Sequence, residues 1–471
     1  MKTDRIELLA NAPVTKAIMV MSLPVVLGMM VQVLYNLVDT FFIGKLGDPN
    51  QLAAANLAMP AFILMMALGG MIGTGASSYI SRSLGEKKQE QADKTLTIGF
   101  ALCFFLGAIV TVVGILFLKP LVSVLGASAD TSGFASEYVF VLFLGGIPIM
   151  ANYAMGQLLR AEGDAIGSMV GMFLGTVTNI ILDPIFIFVF GMGVRGAAIA
   201  TVLGNLISLS YYLLHYAQHK TLLQIKPKLF SFDKTIFREI FSIGIPASLS
   251  QVLMGVALIV LNNIAAGYSD IVVAGLGVST RIMSIGTFVF MGFAAGCQPL
   301  VGYNYGAKNF TRVREIIMQG ILITSIIGVV LSLFLGVFAK SITGVFTSTP
   351  EVVEAATIIL RALILSLPFI GGQMLSTVTV QALGKALPAL FLSISRQGLF
   401  FLPLLLLLNA VFGFKGFIYA QPATDVLMFL VSSSILWSIL RKEVRIASRE
   451  KSDKRENPVE LSKDLVMETL E

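Results

Sequence analysis

The stretch IGFALCFFLGAIVTVVGILFL, from Ile98 to Leu118, decides the fold: twenty-one residues pass without a charge. At about 1.5 Å of rise per residue, such a helix crosses a hydrocarbon core about 30 Å thick. That core holds no water to bond backbone N–H and C=O groups, so only helices or closed barrels satisfy them internally. Barrel strands show short alternating segments, whereas this run is continuously apolar and reads as a helix. Gly320 to Phe338 reads the same way.

The remainder of the 471-residue chain extends that reading, with 56% hydrophobic and 13% charged residues where a soluble domain carries roughly 25% charge. Apolar runs between charged or Gly/Pro breaks predict twelve spans, at residues 17–44, 52–80, 95–118, 134–159, 165–190, 196–217, 239–266, 272–303, 311–338, 352–382, 386–412 and 416–441. Met1 to Lys16 is polar and mixed in charge and lacks the pattern of a cleaved signal, so the first span is expected to stay. Cys103 and Cys297 lie in apolar runs and read as reduced packing residues. A net charge of +6 raises the question of nucleic acid, but the basic residues are spread over loops and a tail without a patch, so no nucleic-acid partner is expected. The segments on the side of the amino terminus hold 25 Lys and Arg and the opposite side six, with Arg281 and Arg396 inside spans. The positive-inside rule then predicts a multi-pass protein of the plasma (inner) membrane with both termini cytoplasmic.

The chain also repeats itself. Pro24 answers Pro246, Gly85 answers Gly306, Pro148 answers Pro368, and Gly193-Val194-Arg195-Gly196 answers Gly413-Phe414-Lys415-Gly416, all at offsets of 220 to 222 and in the same order. Two copies of six spans, an even number, enter the membrane in the same orientation and relate by a pseudo-twofold along the membrane normal. The expected fold is an all-α membrane protein of twelve transmembrane helices in two six-helix lobes with a central cleft. The expected division is an amino-terminal lobe at 1–214, a cytoplasmic linker at 215–238, a carboxy-terminal lobe at 239–441 and a charged tail at 442–471, at least partly disordered.

Carboxylates inside spans are costly, so each marks a candidate functional site. In the first span Gln32, Tyr35 and Asn36 precede Asp39 by seven, four and three residues, which puts all four on one helix face. The plainer alternative is a polar stripe satisfied between packed helices. In the fifth span Asn179 and Asp183 share a face and Pro184 follows, leaving the carbonyl of Ile180 without its helical donor. A carboxylate, an amide and a freed carbonyl suit a small cation or a proton. Thr201 and Asn205 share a face of the sixth span. The matching positions of the second copy lack these acids, since Asp39 aligns near Leu261 and Asp183 near Leu402, while Asp425 aligns with Asn205 and serves either function or a helix contact. Arg281 and Arg396 either snorkel or pair with a neighbour. The glycines from Gly69 to Gly75 have no Lys after them and read as close helix packing, and His215 and His219 lack the acidic partner of a metalloprotease motif and read as interfacial.

With these residues in view, the chain resembles the multidrug and toxic compound extrusion (MATE) family over nearly its whole length, and within it the DinF-like and MepA-like branches, which concentrate carboxylates in the amino-terminal lobe. Twelve spans in two lobes, Val38-Asp39-Thr40, Asn179 with Asp183-Pro184, and the glycine-bounded loops after spans two and eight carry the resemblance. It implies that Asp39, Asn179, Asp183 and Thr201 form the coupling-ion site, for H+ or Na+, and that Gln32, Tyr35, Asn152 and Asn205 line an adjoining cavity. Relatives of the NorM type have an acid in the seventh span where this chain places Met254, which speaks against a sodium site in the carboxy-terminal lobe.

The function expected is antiport, in which an entering proton or sodium ion drives out lipophilic, often cationic, organic compounds by alternating access of the lobes. An ionised Asp in a low-dielectric cleft attracts cations, and protonation or metal binding removes the attraction. Met172, Met291 and Tyr153 are candidates for an adaptable substrate surface beside Asn36 and the other cavity residues. The expected partners are small organic cations or other amphipathic drugs and the lipid bilayer. The protein is expected to be a monomer, without cofactor and not an enzyme. A flippase for lipid-linked oligosaccharides is the alternative of similar architecture and needs several cavity cations, where only Arg281 and Arg396 qualify. An intramembrane enzyme needs a nucleophile and base or a metal motif, and none is found.

Overall fold

The computed structural model describes residues 2–218 and 220–456, with backbone alone at 2, 3, 36, 37, 40 and 447–456. The chain begins with α1 (Lys2–Ala10), α2 (Val14–Gly44), α3 (Pro49–Gly85), α4 (Gln89–Leu116) and α5 (Leu118–Val124). The amino-terminal lobe continues with α6 (Ser132–Leu144), α7 (Gly146–Ala161), α8 (Ala165–Pro184) and α9 (Gly193–Ala217). The second lobe holds α10 (Lys234–Ala266), α11 (Asp270–Gly306), α12 (Phe310–Val337), α13 (Ala339–Phe346), α14 (Pro350–Leu363), α15 (Leu367–Ala382), α16 (Ala386–Ile394), α17 (Leu402–Phe412) and α18 (Phe414–Glu456). Among the described residues eleven spans are long and apolar enough to cross a membrane, and the bent pair α6 and α7, 55° apart, makes twelve. The break falls at Gly145, where a Cβ would meet Val202 Cγ2 at 2.3 Å. Side chains such as Phe105, Leu116, Leu322 and Leu333 stay exposed, as helices solvated by lipid require.

Short polar turns join the spans and are capped in the usual way. Asp233 accepts the Thr235 N–H at 2.9 Å to start α10, and Asn309 accepts the Arg312 N–H at 3.2 Å to start α12. The duplication is written in the backbone as well. Lys87 (φ 61°) and Lys308 (φ 56°) both take the left-handed conformation that non-glycine residues rarely adopt. They occupy corresponding turns after α3 and α11.

The lobes meet at the face that carries α1 and the α9–α10 segment. There the contact is reciprocal: a Cβ on Gly85 would lie 2.0 Å from the Tyr303 carbonyl oxygen, and one on Gly306 would lie 2.1 Å from that of Arg82. Only glycine lets these backbones approach. Ser22 of α2 donates to the Phe293 carbonyl, Ser78 of α3 to that of Gln381, and Arg82 pairs with Glu239 at 2.7 Å. These contacts close the lobes on that face.

The structure describes part of the expected tail and one of the two histidines. α18 runs past Arg441 to Glu456, because its Arg, Lys and Glu residues are good helix formers; residues 457–471 of the expected disordered tail lie outside the described residues. His215 lies in the last turn of α9, with its Nε2 2.8 Å from Asp164 Oδ2; His219 lies outside the described residues.

Candidate functional site

α2, α7, α8 and α9 bring their polar residues to one place inside the amino-terminal lobe. α2, α8 and α9 each contribute residues three or four apart, which share a face, and α7 adds Asn152. The Tyr35 hydroxyl of α2 lies 3.2 Å from Thr201 Oγ1 of α9. In the orientation that satisfies both its neighbours, the Asn179 amide of α8 donates to Asp183 Oδ2 at 3.1 Å and accepts the Thr201 backbone N–H at 3.0 Å. Asn152 of α7 donates to Asn205 Oδ1 at 2.8 Å, and Asn205 donates to the Thr201 carbonyl at 2.8 Å. Asp183, Asn179 and Thr201 are all buried.

The carboxyl groups of Asp39 and Asp183 lie within hydrogen-bonding reach of each other. Asp39 Oδ1 is buried and has no hydrogen-bond partner. Among the described residues neither acid has an ion-pair partner. Two ionised carboxylates repel, so a proton or a cation between them is what this geometry is shaped to take. Pro184 follows Asp183 directly and has no N–H for the Ile180 carbonyl. The chain responds with a wide π turn at Ile185–Val189 before α9.

Beside the carboxyl pair lies a cavity of about 130 Å³. Gln32, Tyr35, Asn152, Tyr153, Met172, Asn179, Thr201 and Asn205 line it, and Met291 and Phe288 of the second lobe close one wall. Asp39 and Asp183 stand outside that lining, behind Tyr35 and Asn179. The Asn36 side chain lies outside the described residues. A drug-sized ligand fills roughly 300–1,000 Å³, so binding requires the walls to move apart. Sequence reasoning missed Arg160, Thr176 and Tyr212, which also line the cavity. Arg160 falls just beyond the expected limit of the fourth span and counts with the loop cations, whereas α7 carries on to Ala161 and turns it inward. The alternation of small and polar residues in α7 gives no separate signal for that.

The second lobe holds a different polar cluster at the corresponding junction. Arg396 Nε and Nη2 each lie 3.3 Å from Asp425 Oδ1, and Gln421 donates to Asp425 Oδ2 at 3.0 Å. Of the two fates open to Arg396, pairing is the one adopted; Arg281 stays exposed on α11. Asp425 is fully buried and brings its own counter-ion, unlike the acids of the first lobe.

The MatE family model matches the chain twice, at residues 24–185 and 246–407. The multidrug export protein MepA of Staphylococcus aureus (strain MSSA476) is 33% identical over 450 residues, which cover 96% of this chain and 99% of that protein. A multidrug resistance MATE family transporter of the MOP superfamily, solved in an outward-facing conformation, superposes with a TM-score of 0.88 at 29% identity, covering 93% of this chain and 98% of the other. A crystal structure of MATE in complex with MaD3S superposes with a TM-score of 0.87 at 30% identity, covering 93% and 99%.

Proposed function

We propose, for a chain that belongs to the MATE family, cation-coupled multidrug antiport: an entering proton or sodium ion is exchanged for a lipophilic organic compound. The observation that carries this reading is the pair Asp39 and Asp183, two facing carboxyl groups without a counter-ion among the described residues. Filling the site with a proton or with sodium removes their repulsion, and Asn179 and Thr201 supply neutral oxygens around it. Gln32, Tyr35, Asn152, Tyr153, Met172, Asn205 and Met291 form the substrate surface, with Asn36 assigned from its place on the Asp39 face. Substrate and ion influence each other because Thr201 touches both groups, through Tyr35 on the cavity side and Asn179 on the acid side.

α2 carries the effect to the other lobe. Its far end bears Asp39, while its first half packs on α11, where Ser22 meets Phe293 and Cys297. A change of charge at Asp39 therefore acts on a helix that belongs to the lobe interface. The face bearing α1 is the cytoplasmic one, both termini lie there in the plasma membrane, the working unit is a monomer, and the lobes divide within residues 215–238. The flippase alternative is disfavoured by a cavity lined by one cation, Arg160, where binding a pyrophosphate calls for several.

The test is efflux of a fluorescent organic cation from vesicles under an imposed proton or sodium gradient. Asp39→Asn and Asp183→Asn are each expected to slow gradient-driven efflux by about ten-fold or more, the loss of ~1.4 kcal/mol of coupling. Full-rate transport with unchanged ion dependence in both variants overturns the reading, and the gradient that sustains wild-type efflux identifies the ion.

A further inference from the structure

Three half-buried arginines of this protein are paired with acids. Arg5 pairs with Asp164 at 2.5 Å, Arg82 with Glu239 at 2.7 Å and Arg396 with Asp425 at 3.3 Å. Arg160 does not follow the pattern. It is 8% exposed, it lines the cavity of the first lobe, and its Nη1 donates to Ser168 Oγ at 2.8 Å. Among the described residues no carboxylate pairs with it.

A guanidinium keeps its charge at any pH a cell meets and presents five donors in a planar fork. Burying such a charge without a counter-ion is strongly unfavourable. The helix dipole favours a cation in the last turn of α7, but by less than the desolvation costs. The group is nevertheless held firmly. Ser168, which accepts from Arg160, donates to the Gly156 carbonyl at 2.8 Å, and the Tyr212 hydroxyl donates to the Ser168 carbonyl at 2.8 Å. A fixed, charged, cavity-facing fork without an acid is built to receive one from outside.

Arg160 thus lines the cavity at one end, while the acids lie behind the wall formed by Tyr35 and Asn179 at the other. Asn152 lies eight residues before Arg160 on α7, about 12 Å at 1.5 Å per residue. Asn152 is tied through Asn205 to Thr201, beside the carboxyl pair. We infer that Arg160 is an anion subsite, and that the compounds this transporter favours are zwitterionic, with a carboxylate on Arg160 and a basic group toward Thr201 and the acids. The inference rests on the proposed transport function for its meaning, since it names the substrate class of that same cavity.

Binding to purified protein, without any ion gradient, tests it. The probes are a fluorescent rhodamine with a free carboxylate and the methyl ester of the same dye, read by fluorescence anisotropy. Wild type is expected to bind the free acid more tightly than the ester. Arg160→Gln is expected to weaken the acid by about ten-fold, the scale of a charge-assisted hydrogen bond, and to leave the ester unchanged. Arg160→Lys keeps the charge and is expected to keep the preference for the acid. Equal weakening of acid and ester by Arg160→Gln means a structural role and overturns the inference. So does a wild type that prefers the ester, or that binds neither dye, and these two outcomes need no variant to fold. Loss of coupling in the Asp39 and Asp183 variants is read in vesicles and leaves the anisotropy result untouched, so the two proposals fail separately.

Discussion

Glu162 stands between α7 and α8 with its side chain fully buried. Its Oε2 accepts the Leu223 N–H at 2.8 Å, while Oε1 and the nearby Tyr216 hydroxyl have no partner. Burial pushes its carboxyl up to about 8 from an ordinary 4.5, and a proton on Oε1 supplies the missing donor. The folded protein then keeps a proton that the unfolded chain releases between those values. The contribution to stability is complete below the ordinary value and is lost as pH rises through about 8. Thermal unfolding of detergent-purified protein is expected to show stability falling with pH in that window, by at most ~1.4 kcal/mol per unit. Glu162→Gln keeps the acceptor for Leu223 and should flatten the slope; an unchanged slope counts against this account. The Arg396–Asp425 pair makes a second prediction at this scale. Arg396→Met strands a buried carboxylate and is expected to cost about 3–5 kcal/mol, whereas adding Asp425→Asn should restore most of it. A double variant as unstable as the single one shows that packing, not charge, is at stake. Asp39 and Asp183 stood out in the sequence because a carboxylate in an apolar run is conspicuous, whereas the grouping of Asn179 and Thr201 with them was implied by the family resemblance. Glu162 did not stand out, since a glutamate between two spans reads as solvated.

Among the elements, α1 has the clearest separate task. Arg5 ties it to Asp164 in the first lobe, and its carbonyl at Leu9 accepts from Asn304 of α11 at 2.9 Å. Just beyond its end, Arg312 of α12 donates to the Ala12 carbonyl at 2.6 Å. The short helix straps the two lobes at the face where they touch. Spin labels at Gln89→Cys and Thr311→Cys, read as a distance distribution, report the opening of that face; Cys103 and Cys297 are buried and should escape labelling. Arg5→Met combined with Asn304→Leu is expected to move the distribution to longer distances, and an unmoved distribution removes α1 from the mechanism. From sequence, Met1 to Lys16 showed only mixed charge and the lack of a signal pattern. Its polar partners are more than a hundred residues away, so no local spacing points to them.

For the whole molecule, the reciprocal fit of Gly85 and Gly306 predicts that either glycine controls the closed face. A Cβ at Gly85 meets the Tyr303 carbonyl at 2.0 Å and one at Gly306 meets that of Arg82 at 2.1 Å, and backbone cannot give way cheaply. Gly85→Ala and Gly306→Ala are each expected to lengthen the same label distance and to reduce transport, with comparable effects because the contact is symmetric. A large effect from one and none from the other contradicts the symmetric contact. The sequence by itself determined the helical membrane fold, the doubling of a six-span unit and the absence of counterparts to Asp39 and Asp183 in the second copy. Those follow from how each short stretch partitions between water and lipid, a local property that needs no knowledge of neighbours. Tertiary structure alone decided that Asp39 faces Asp183, that Arg160 turns into the cavity while Arg396 finds Asp425, and that the lobes close at the face bearing α1. Helical periodicity places a residue only around its own axis; which axis it meets depends on crossings and close backbone approaches set by the packed whole.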